Sequence, residues 1–578
     1  MRGSLQTYSP LMASSLAARL DRVILFVVAF LFLAVGSFWG LPSGKAVAGA
    51  LVILDGGVPY RDFWTMYAPG QFYAVAALFG LFGRELFVQA IAVCLVRAAA
   101  AVSFHLLLCR LGASRWSALG LSIVFVLMFW RTAPELTDYA PALLCLLLAL
   151  NLIVAYFETG GRGHLRWAGV WLGVAACFKH DVAAYIAVGV TVSLFASWWL
   201  VKQRRPATWL PPARATLVVA TAALATIAPL SIVTAWTAAS DAWNDLFVFP
   251  FAVFPKVRGD LFPAVIPDLS LVFEWLSQPR RAAAALAAAQ GLAPWAVLRG
   301  PEVVFLGGVA VLLATFRRAA PARIGQLLML LGGMPFFWTA AHVQHNTHPY
   351  TLAVLGAGIG VIAWSLFGDR IDSRRWLRVP LSMFIAVYVG GLVTAAGIEA
   401  ALVYYEWQGS RVLQLSGFRG VRVPARVYDS VEPIGRFVRT HTNAGEPIYT
   451  GLLRHDSIVV NNALLYAIAD RPACCGYTEL HPGVGDRAAV HREIIRKLET
   501  TGVGTIVLWE FGWPERVMEA RKRHTMAAVA DAGSTLLDDY IAQRFERVEQ
   551  HGELHVFRRR PAPVPAKPVA EHTVPNAR

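Results

Sequence analysis

Residues 56–83 read GGVPYRDFWTMYAPGQFYAVAALFGLFG and follow directly after a first hydrophobic run. Arg61 and Asp62 stand beside an aromatic turn of the form Tyr-x-Pro-Gly at 67–70. Charged residues held against a membrane are expensive to keep there, so they are usually functional. This stretch therefore predicts chemistry at the mouth of a membrane protein.

The composition indicates a membrane protein. Of the 578 residues, 56% are hydrophobic and only 15% are charged, whereas about a quarter of the residues are charged in soluble domains. The first apolar run begins near Val23 and has no small-residue cleavage site, so it predicts a retained span and not a cleaved signal peptide.

The net charge of +15 is spread over short loops between the apolar runs. That distribution is typical of membrane topology and of contact with anionic membrane lipids. A nucleic-acid partner is excluded, because no base-reading motif accompanies the basic residues.

Apolar runs long enough to cross about 30 Å of hydrocarbon occupy the first 399 residues. They fall at 23–42, 86–109, 116–130, 139–157, 167–178, 182–201, 215–239, 302–316, 324–341, 350–367 and 378–399. The run 71–83 is too short to span and predicts a juxtamembrane helix, within an outer loop at 44–83. We expect a polytopic α-helical membrane protein with about 11 transmembrane helices in 1–399.

Basic residues set the expected orientation. Every second loop is rich in arginine or lysine, which by the positive-inside rule places the N-terminus in the cytoplasm. The loops 44–85, 131–138, 179–181, 240–301 and 341–349 then face outward, together with the chain from about residue 400. A bacterial inner (plasma) membrane is the expected location, with the C-terminal part periplasmic.

The C-terminal part changes character. Apolar β-rich runs at 447–452, 504–509 and 554–557 alternate with amphipathic helical patterns at 428–441, 485–500 and 534–544. This alternation predicts a small extracytoplasmic α/β domain over 400–560. The Pro/Ala-rich tail 561–578 is expected to be disordered.

Four phrases carry a family resemblance: GVPYRDF at 57–63, YAPG at 67–70, LFGLFG at 78–83 and FKHDV at 178–182. With the span pattern and the C-terminal domain, they resemble the GT-C glycosyltransferases. The nearest likeness is to the bacterial branch with aminoarabinose and galacturonic acid transferases and protein mannosyltransferase-like enzymes. The resemblance implies inverting transfer of a sugar from a polyprenyl phosphate carrier to an extracytoplasmic acceptor: lipid A, a cell-envelope glycan, a glycolipid or a protein.

The resemblance also implies that an outer-loop aspartate is the general base. Asp62 is the first candidate and Asp55 the rival. A carboxylate at the membrane edge suits this role, because partial desolvation raises its pKa. The structural alternative for Asp62 is that it pairs with Arg61 or caps the next helix.

A lipid-linked donor needs cations at its phosphate. Arg61, Arg84, Arg131 and Lys179 are the outward-facing basic residues near spans. Lys179 is the most distinctive, because the short span before it holds it at headgroup depth or deeper, where its compact charge could stabilise the leaving phosphate. The alternative is an ion pair with Asp181.

Further polar residues are candidates for orienting the reactants. Glu135 is the candidate second acid, and Asp138, Asp181 and Tyr60 are expected to orient the acceptor. For Asp138 the competing role is an N-cap, since Tyr139 opens the next span.

Three histidines, His342, His345 and His348, lie between two late spans. His345 and His348 are expected to contact the donor phosphate or sugar, and the alternative is that these histidines are simply solvated in the loop. A divalent metal on His342 and His345 is the weaker alternative, because Pro349 indicates a turn there. The sequence establishes no cofactor. In the C-terminal part, the segment 477–483 could form a pocket lid, although a structural turn is favoured.

Two other functions compete with glycosyl transfer. A transporter or lipid flippase would gather its polar residues near the midplane between inverted repeats, whereas here they gather on one face. A non-catalytic partner in envelope assembly would make Asp62 dispensable.

Overall fold

The structure is a computed structural model that describes residues 16–37, 41–128, 135–254, 300–344, 349–372, 407–456, 458, 461–510 and 533–561. The predicted span 378–399 and the tail 562–578 lie outside these residues. Ten of the eleven predicted spans overlap a described helix.

The N-terminal part is helical. Its helices are α1 Leu16–Ser37, α2 Lys45–Leu54, α3 Gly70–Phe82, α4 Leu86–Arg110, α5 Arg115–Met128, α6 Tyr139–Thr159, α7 Arg162–Phe178, α8 His180–Leu200, α9 Pro212–Trp243, α10 Gly300–Thr315, α11 Pro321–Gln344 and α12 Pro349–Asp372. A π-helix, Asn244–Val253, continues α9. The chain is a multi-pass α-helical membrane protein, as predicted.

The helices differ in length and hydropathy. Among the described residues, four continuous helical stretches are long and apolar enough to cross a membrane by themselves: Leu86–Arg110, Tyr139–Thr159, His180–Leu200 and Pro212–Val253. The last of these leaves Leu224, Ile232 and Trp236 widely exposed. Apolar side chains on the outside of a helix bundle are those that face lipid.

Small residues allow the helices to approach closely. In α8, a Cβ added to Gly189 would lie 2.6 Å from the backbone nitrogen of Gly333 in α11. Such contacts between small residues are typical of membrane helix packing. These contacts fix the position of α8 against α11, and therefore the position of His180, at which α8 begins.

The outer segment 44–83 contains two short helices, α2 and α3, joined by the loop 55–69. The predicted juxtamembrane helix at 71–83 corresponds to α3. Helix α2 was not predicted separately, because an apolar run of ten residues looks like the end of a span or a buried element.

The C-terminal domain is a small α/β unit, as predicted. It contains β1 Arg411–Val412, β2 Arg422–Val423, α13 Ala425–His441, β3 Tyr449–Leu452, α14 Leu465–Ala469, α15 Ala488–Thr500, β4 Thr505–Trp509, α16 Leu536–Arg544, β5 Phe545–His551 and β6 Leu554–Arg559. The main sheet has the order β3-β4-β6-β5. Strand β3 is parallel to β4, with Tyr449 opposite Ile506, and the other pairs are antiparallel.

The C-terminal domain packs on the outer loop. The Trp64 N–H donates to the Gly476 carbonyl at 2.8 Å, and the Leu86 N–H donates to the Gly417 carbonyl at 2.8 Å. A Cβ on Gly476 would lie only 2.8 Å from the Asp62 carbonyl oxygen, so this approach requires glycine. The contact brings residues 477–481 beside the loop that connects α2 and α3.

Candidate functional site

A buried cluster of charges lies where α2, α6 and α8 begin. The Lys179 Nζ is 3.1 Å from Asp138 Oδ2 and 3.7 Å from Asp181 Oδ1. The Lys45 Nζ is 3.5 Å from Asp138 Oδ1. The Asp138 carboxylate therefore bridges two ammonium groups, as buried charges require if they are to be retained.

Lys179 and Asp138 lie at the points where helices begin or end. Lys179 has an extended backbone (φ −149°, ψ 95°) and is the single residue between α7 and α8, so it occupies the tip of a helical hairpin. Asp138 directly precedes α6 but makes no side-chain capping bond, because its carboxylate contacts the lysines instead. Asp138 thus occupies the N-cap position of α6, but its side chain does not make the N-cap hydrogen bond.

Glu135 fixes the start of α2. Its Oε1 accepts the Ala46 N–H at 2.8 Å, and its Oε2 accepts the Ser43 hydroxyl at 2.7 Å. A carboxylate at the first turn satisfies an N–H that the helix leaves free. Burial raises the pKa of Glu135, against the opposing effect of the Lys45 ammonium. Glu135 thus holds the helix that carries Lys45.

The lysines and Asp138 stabilise each other's charge. Burial alone would raise the pKa of Asp138, but the ammonium groups of Lys45 and Lys179 lower it below its usual value. Burial would likewise lower the pKa of Lys179, but Asp181 and Asp138 raise it. Asp138 and the two lysines are therefore ionised, and the two ammonium groups share the negative charge of Asp138.

A small cavity of about 30 Å³ opens on this cluster. Asp138, Lys179, His180 and Asp181 line one side, and an aromatic and apolar wall closes the other side, formed by Met66, Tyr67, Ala68, Phe178, Pro250, Phe251 and Phe254. Part of that wall is the π-helix, a rare element that is frequent at functional sites.

Tyr67 connects the wall to Lys45. The Lys45 Nζ lies 3.4 Å from the centroid of the Tyr67 ring, in cation–π contact. The buried Tyr60, whose φ is 69°, donates its hydroxyl to the Tyr67 carbonyl at 2.7 Å. The structure thus assigns Tyr60 the support of Tyr67, whereas its predicted role toward an acceptor stays a prediction.

The C-terminal domain reaches this site through Glu479 and His481, both buried. His481 Nε2 is 2.8 Å from Glu479 Oε1, and the His481 ring lies 5.7 Å from Trp64 and 6.0 Å from Phe254 between centroids. The Glu479 charge also raises the pKa of Lys45, although less than Tyr67 and Asp138 do. The segment 477–483 therefore packs on the back of the cavity wall.

Asp62 lies elsewhere. It accepts hydrogen bonds from the Arg61 guanidinium at 2.7–3.2 Å and from the Val58 N–H at 2.7 Å, and its side chain is 36% exposed. The hydrogen bond from Arg61 lowers the pKa of Asp62, which makes it a weaker base. The structure contains the pairing of Asp62 with Arg61 that was the structural alternative from the sequence. The catalytic role of Asp62 stays a prediction.

The other predicted residues divide into two groups. Asp55 pairs with Arg84 at 3.1 Å, with both side chains about half exposed, and Arg61 pairs with Asp62. Arg131, His345 and His348, and the side chain of His342, lie outside the described residues. Within the described ranges, no group of three or more His, Cys, Asp and Glu side chains could hold a metal ion.

Sequence reasoning missed Lys45, Glu479 and His481 as parts of one site. The signal for Lys45 was its position as the one charged residue in the run 41–54, LPSGKAVAGALVIL. Nothing local connects Glu479 to it, because the two residues are distant in sequence and only the docking of the C-terminal domain brings them together.

No family profile matches the sequence, and no curated protein matches it. Solved structures do match. ArnT from Cupriavidus metallidurans bound to undecaprenyl phosphate is 15% identical, with a TM-score of 0.50 over 93% of this chain and 97% of that chain. The chain has the GT-C fold. The apo structure of the same ArnT gives the same identity and TM-score over 98% of its chain.

The GT-C fold extends over nearly the whole chain, including the C-terminal domain. The resemblance inferred from the phrases at 57–83 and 178–182 is thereby confirmed at the level of the fold. A further match is the archaeal oligosaccharyltransferase AglB from Archaeoglobus fulgidus, in complex with an inhibitory peptide and a dolichol-phosphate. It is 12% identical, with a TM-score of 0.44 over 86% of this chain and 70% of that chain.

Proposed function

We propose that this chain is an integral-membrane glycosyltransferase that moves a sugar from a polyprenyl phosphate carrier to an acceptor outside the cytoplasm. The observation that carries the proposal is the pair of buried lysines, Lys45 and Lys179, that converge on Asp138 beside a cavity. In support, the chain shares its fold with ArnT, whose structure contains undecaprenyl phosphate.

The charge distribution supports an outward-facing site. At the opposite ends of the helices, Arg204 donates to the carbonyls of Phe316 and Ala319, and Arg323 donates to the carbonyl of Arg110. Arginines concentrated at one end indicate the cytoplasmic side. The Lys179 end then faces out, in a bacterial inner membrane with the N-terminus inside and the C-terminal domain in the periplasm.

The lysines suit a phosphate leaving group. An ammonium has three N–H donors. Lys179 donates one of them to Asp138 at 3.1 Å and has Asp181 as an ion-pair partner at 3.7 Å. When the bond between the anomeric carbon and the phosphate oxygen breaks, negative charge grows on that oxygen. Fixed cations in a water-poor site stabilise such charge strongly.

Asp181 is the carboxylate best placed to accept the acceptor's proton. It lines the cavity and lies 3.7 Å from Lys179, and its Oδ1 accepts the Val182 N–H at 2.8 Å. Asp138 contacts both lysines. In this assignment the acceptor oxygen attacks the anomeric carbon, its proton passes to Asp181, and the polyprenyl phosphate departs toward Lys179. Asp62 is the rival base.

The acceptor belongs to the extracytoplasmic set named from the sequence: lipid A, an envelope glycan, a glycolipid or a protein. A hydroxyl or an amine would serve equally as nucleophile. The cavity chemistry does not select among them.

The test is sugar transfer by the purified protein in nanodiscs. Radiolabelled polyprenyl phosphate sugars serve as donors and envelope vesicles from the source cells as acceptors. We expect transfer by the native chain, a loss of at least about 100-fold in Lys179→Ala, and partial retention in Lys179→Arg. The matched control is Lys202→Ala, an exposed lysine at the other ends of the helices. Equal transfer by Lys179→Ala and Lys202→Ala would refute the role of Lys179, and no transfer by the native chain would refute the function.

A further inference from the structure

A second cavity, of about 440 Å³, lies between α2 and the C-terminal domain. We call it the interdomain cleft. Ala48, Val52, Asp55 and Arg84 line it from the membrane part, and Tyr466 and Asp470 from the C-terminal domain. Its volume is in the range of small-molecule sites, which often lie between domains.

The cleft has unused hydrogen-bonding groups at its rim. Arg84 and Asp55 meet at 3.1 Å with both side chains about half exposed, and this contact uses one of the five N–H donors of the guanidinium. Asp470 is exposed, and its carboxylate makes no hydrogen bond or ion pair to any side chain in the described part of the chain. Donors and acceptors thus face the same space.

The fourth charged residue, Arg471, is already occupied. It donates to Thr442 Oγ1, to the Thr442 carbonyl, and to the carbonyls of Asp470 and Arg439, all at 2.8–2.9 Å. It therefore frames the wall and is not a free cation. The open charges are Asp55, Asp470 and Arg84, which sum to −1.

This chemistry disfavours a second phosphate and favours a neutral, hydroxyl-rich ring. Hydroxyls donate to carboxylates and accept from a guanidinium. The apolar side chains of Leu51 and Val52, which also line the cleft, suit the less polar face of a sugar. Saccharides combine these two properties.

Lys45 begins the helix that lines the cleft. The lining residues Ala48 and Val52 follow Lys45 by 3 and 7 positions in α2, a spacing that places the three residues on one stripe of the helix. Asp55 is the residue directly after α2. Ala48 is about 4.5 Å from Lys45 along the helix axis. On the facing wall, Thr478 lines the cleft, and the next residue, Glu479, acts on Lys45.

We infer that the interdomain cleft binds the saccharide part of the acceptor. Asp55, Arg84 and Asp470 would hold the ring hydroxyls. The inference rests on the proposed glycosyl transfer and specifies its acceptor as a glycan or glycolipid.

Two substitutions test the cleft by kinetics. Val52→Trp fills it, and Asp470→Asn removes a charge at a position whose φ of 53° asparagine tolerates as well as aspartate. The control is Leu81→Trp, on an exposed position of α3. In the nanodisc assay we expect the KM for envelope vesicles to rise about tenfold or more, because the loss of one hydrogen bond to the acceptor weakens binding by about that factor. The KM for the donor should stay unchanged. An unchanged vesicle KM in both cleft variants would overturn the inference, as would an equal rise in the donor KM.

A labelling experiment tests occupancy without any transfer. Ala444 is an exposed residue that lines the cleft. The variant Ala444→Cys is therefore labelled with a maleimide, and the labelling of the native chain's own cysteines is subtracted as background. Methyl β-glucoside, methyl β-galactoside and methyl α-mannoside are the probes, and methyl phosphate is the comparison. Slower labelling with a glycoside and not with methyl phosphate supports the cleft as a saccharide site. Labelling unaffected by all three glycosides overturns it, whereas absence of transfer by the native chain would overturn only the proposed function.

Discussion

The Lys179 ammonium lies 3.1 Å from the Asp138 carboxylate, and the two side chains are only 7% and 8% exposed. The pair joins the tip of the α7–α8 hairpin to the start of α6. Because Lys45 contacts the other oxygen of Asp138 at 3.5 Å, one carboxylate connects three separate segments. The cluster therefore links α2, α6 and the α7–α8 hairpin and fixes the positions of two ammonium groups.

The ion pair between Lys179 and Asp138 predicts that their contributions to the free energy of unfolding are strongly coupled. Lys179→Met and Asp138→Asn each remove the nearer of two partners of a buried charge, so each should lower the free energy of unfolding, by at most about 3–5 kcal/mol. The double variant should lose clearly less than the sum. Unfolding in mixed micelles measures all three, with Lys202→Met as the exposed control. Additive losses, within about 0.5 kcal/mol, would show that the two side chains do not interact.

The two candidate bases are separated by their asparagine variants. Asp181→Asn should lower kcat by about 100-fold or more, the usual contribution of a general base. Asp62→Asn should retain transfer within a few-fold, because Asp62 is exposed and its hydrogen bond with Arg61 already lowers its pKa. Transfer rates in nanodiscs decide between them, and a large loss only in Asp62→Asn would restore Asp62 as the base.

The Tyr67 ring should contribute to donor binding through Lys45. Tyr67→Leu removes the ring that lies 3.4 Å from the Lys45 Nζ, whereas Tyr67→Phe keeps it. We expect the leucine variant to bind polyprenyl phosphate about 0.5–2 kcal/mol more weakly than the phenylalanine variant. Binding to nanodiscs measures the difference. In a Lys45→Met background the difference should vanish, and its persistence would assign the effect to packing alone.

Acid should destabilise the C-terminal domain through His491. Its Nε2 lies 2.7 Å from the Gly485 carbonyl, and its Nδ1 accepts the Leu537 N–H at 3.3 Å. Burial lowers the pKa of His491, with His455 acting in the same direction and Asp538 and Asp486 against it. The unfolded chain therefore takes up the proton first, so stability is complete above about pH 6.5 and falls as the pH drops below it, by at most about 1.4 kcal/mol per pH unit.

Hydrogen exchange of the β3 and β4 amides, measured on the full chain between pH 5 and pH 8 or so, checks this sign. His491→Gln keeps a side-chain donor for the Gly485 carbonyl and should flatten the pH dependence relative to the native chain. The pair of His455 and Asp538, at 2.7 Å, is left unchanged in that variant. An equal slope in both proteins would exclude His491 as the titrating group.

The helices were predictable because their cause is local. Runs of apolar residues broken by charged turns predict the spans, and Lys179 with Asp181 could be recognised from such a break. The same pattern did not identify α2 as a separate helix, since ten apolar residues from 45 to 54 are compatible with several structures. Lys45 was missed with it.

The composition of the site was less predictable, because it depends on contacts between distant segments. Asp62 was singled out from its motif, yet its neighbour Arg61 already offered the partner that it takes in the structure. Glu479 and His481 reach the cavity wall only because the Trp64 N–H and the Gly476 carbonyl dock two domains. The strand order β3-β4-β6-β5 likewise follows from long-range pairing that local patterns do not specify.

The most direct measurement of the central claim is to map where a polyprenyl phosphate binds. An undecaprenyl phosphate analogue with a photoreactive group next to the phosphate is reconstituted with the native chain, irradiated, and located by peptide mass spectrometry. We predict labelling of the segments 66–68 and 178–181 that line the cavity, and the loss of this labelling in Lys179→Ala but not in Lys202→Ala. Labelling confined to other segments, or unaffected by Lys179→Ala, would contradict a donor site at Lys179.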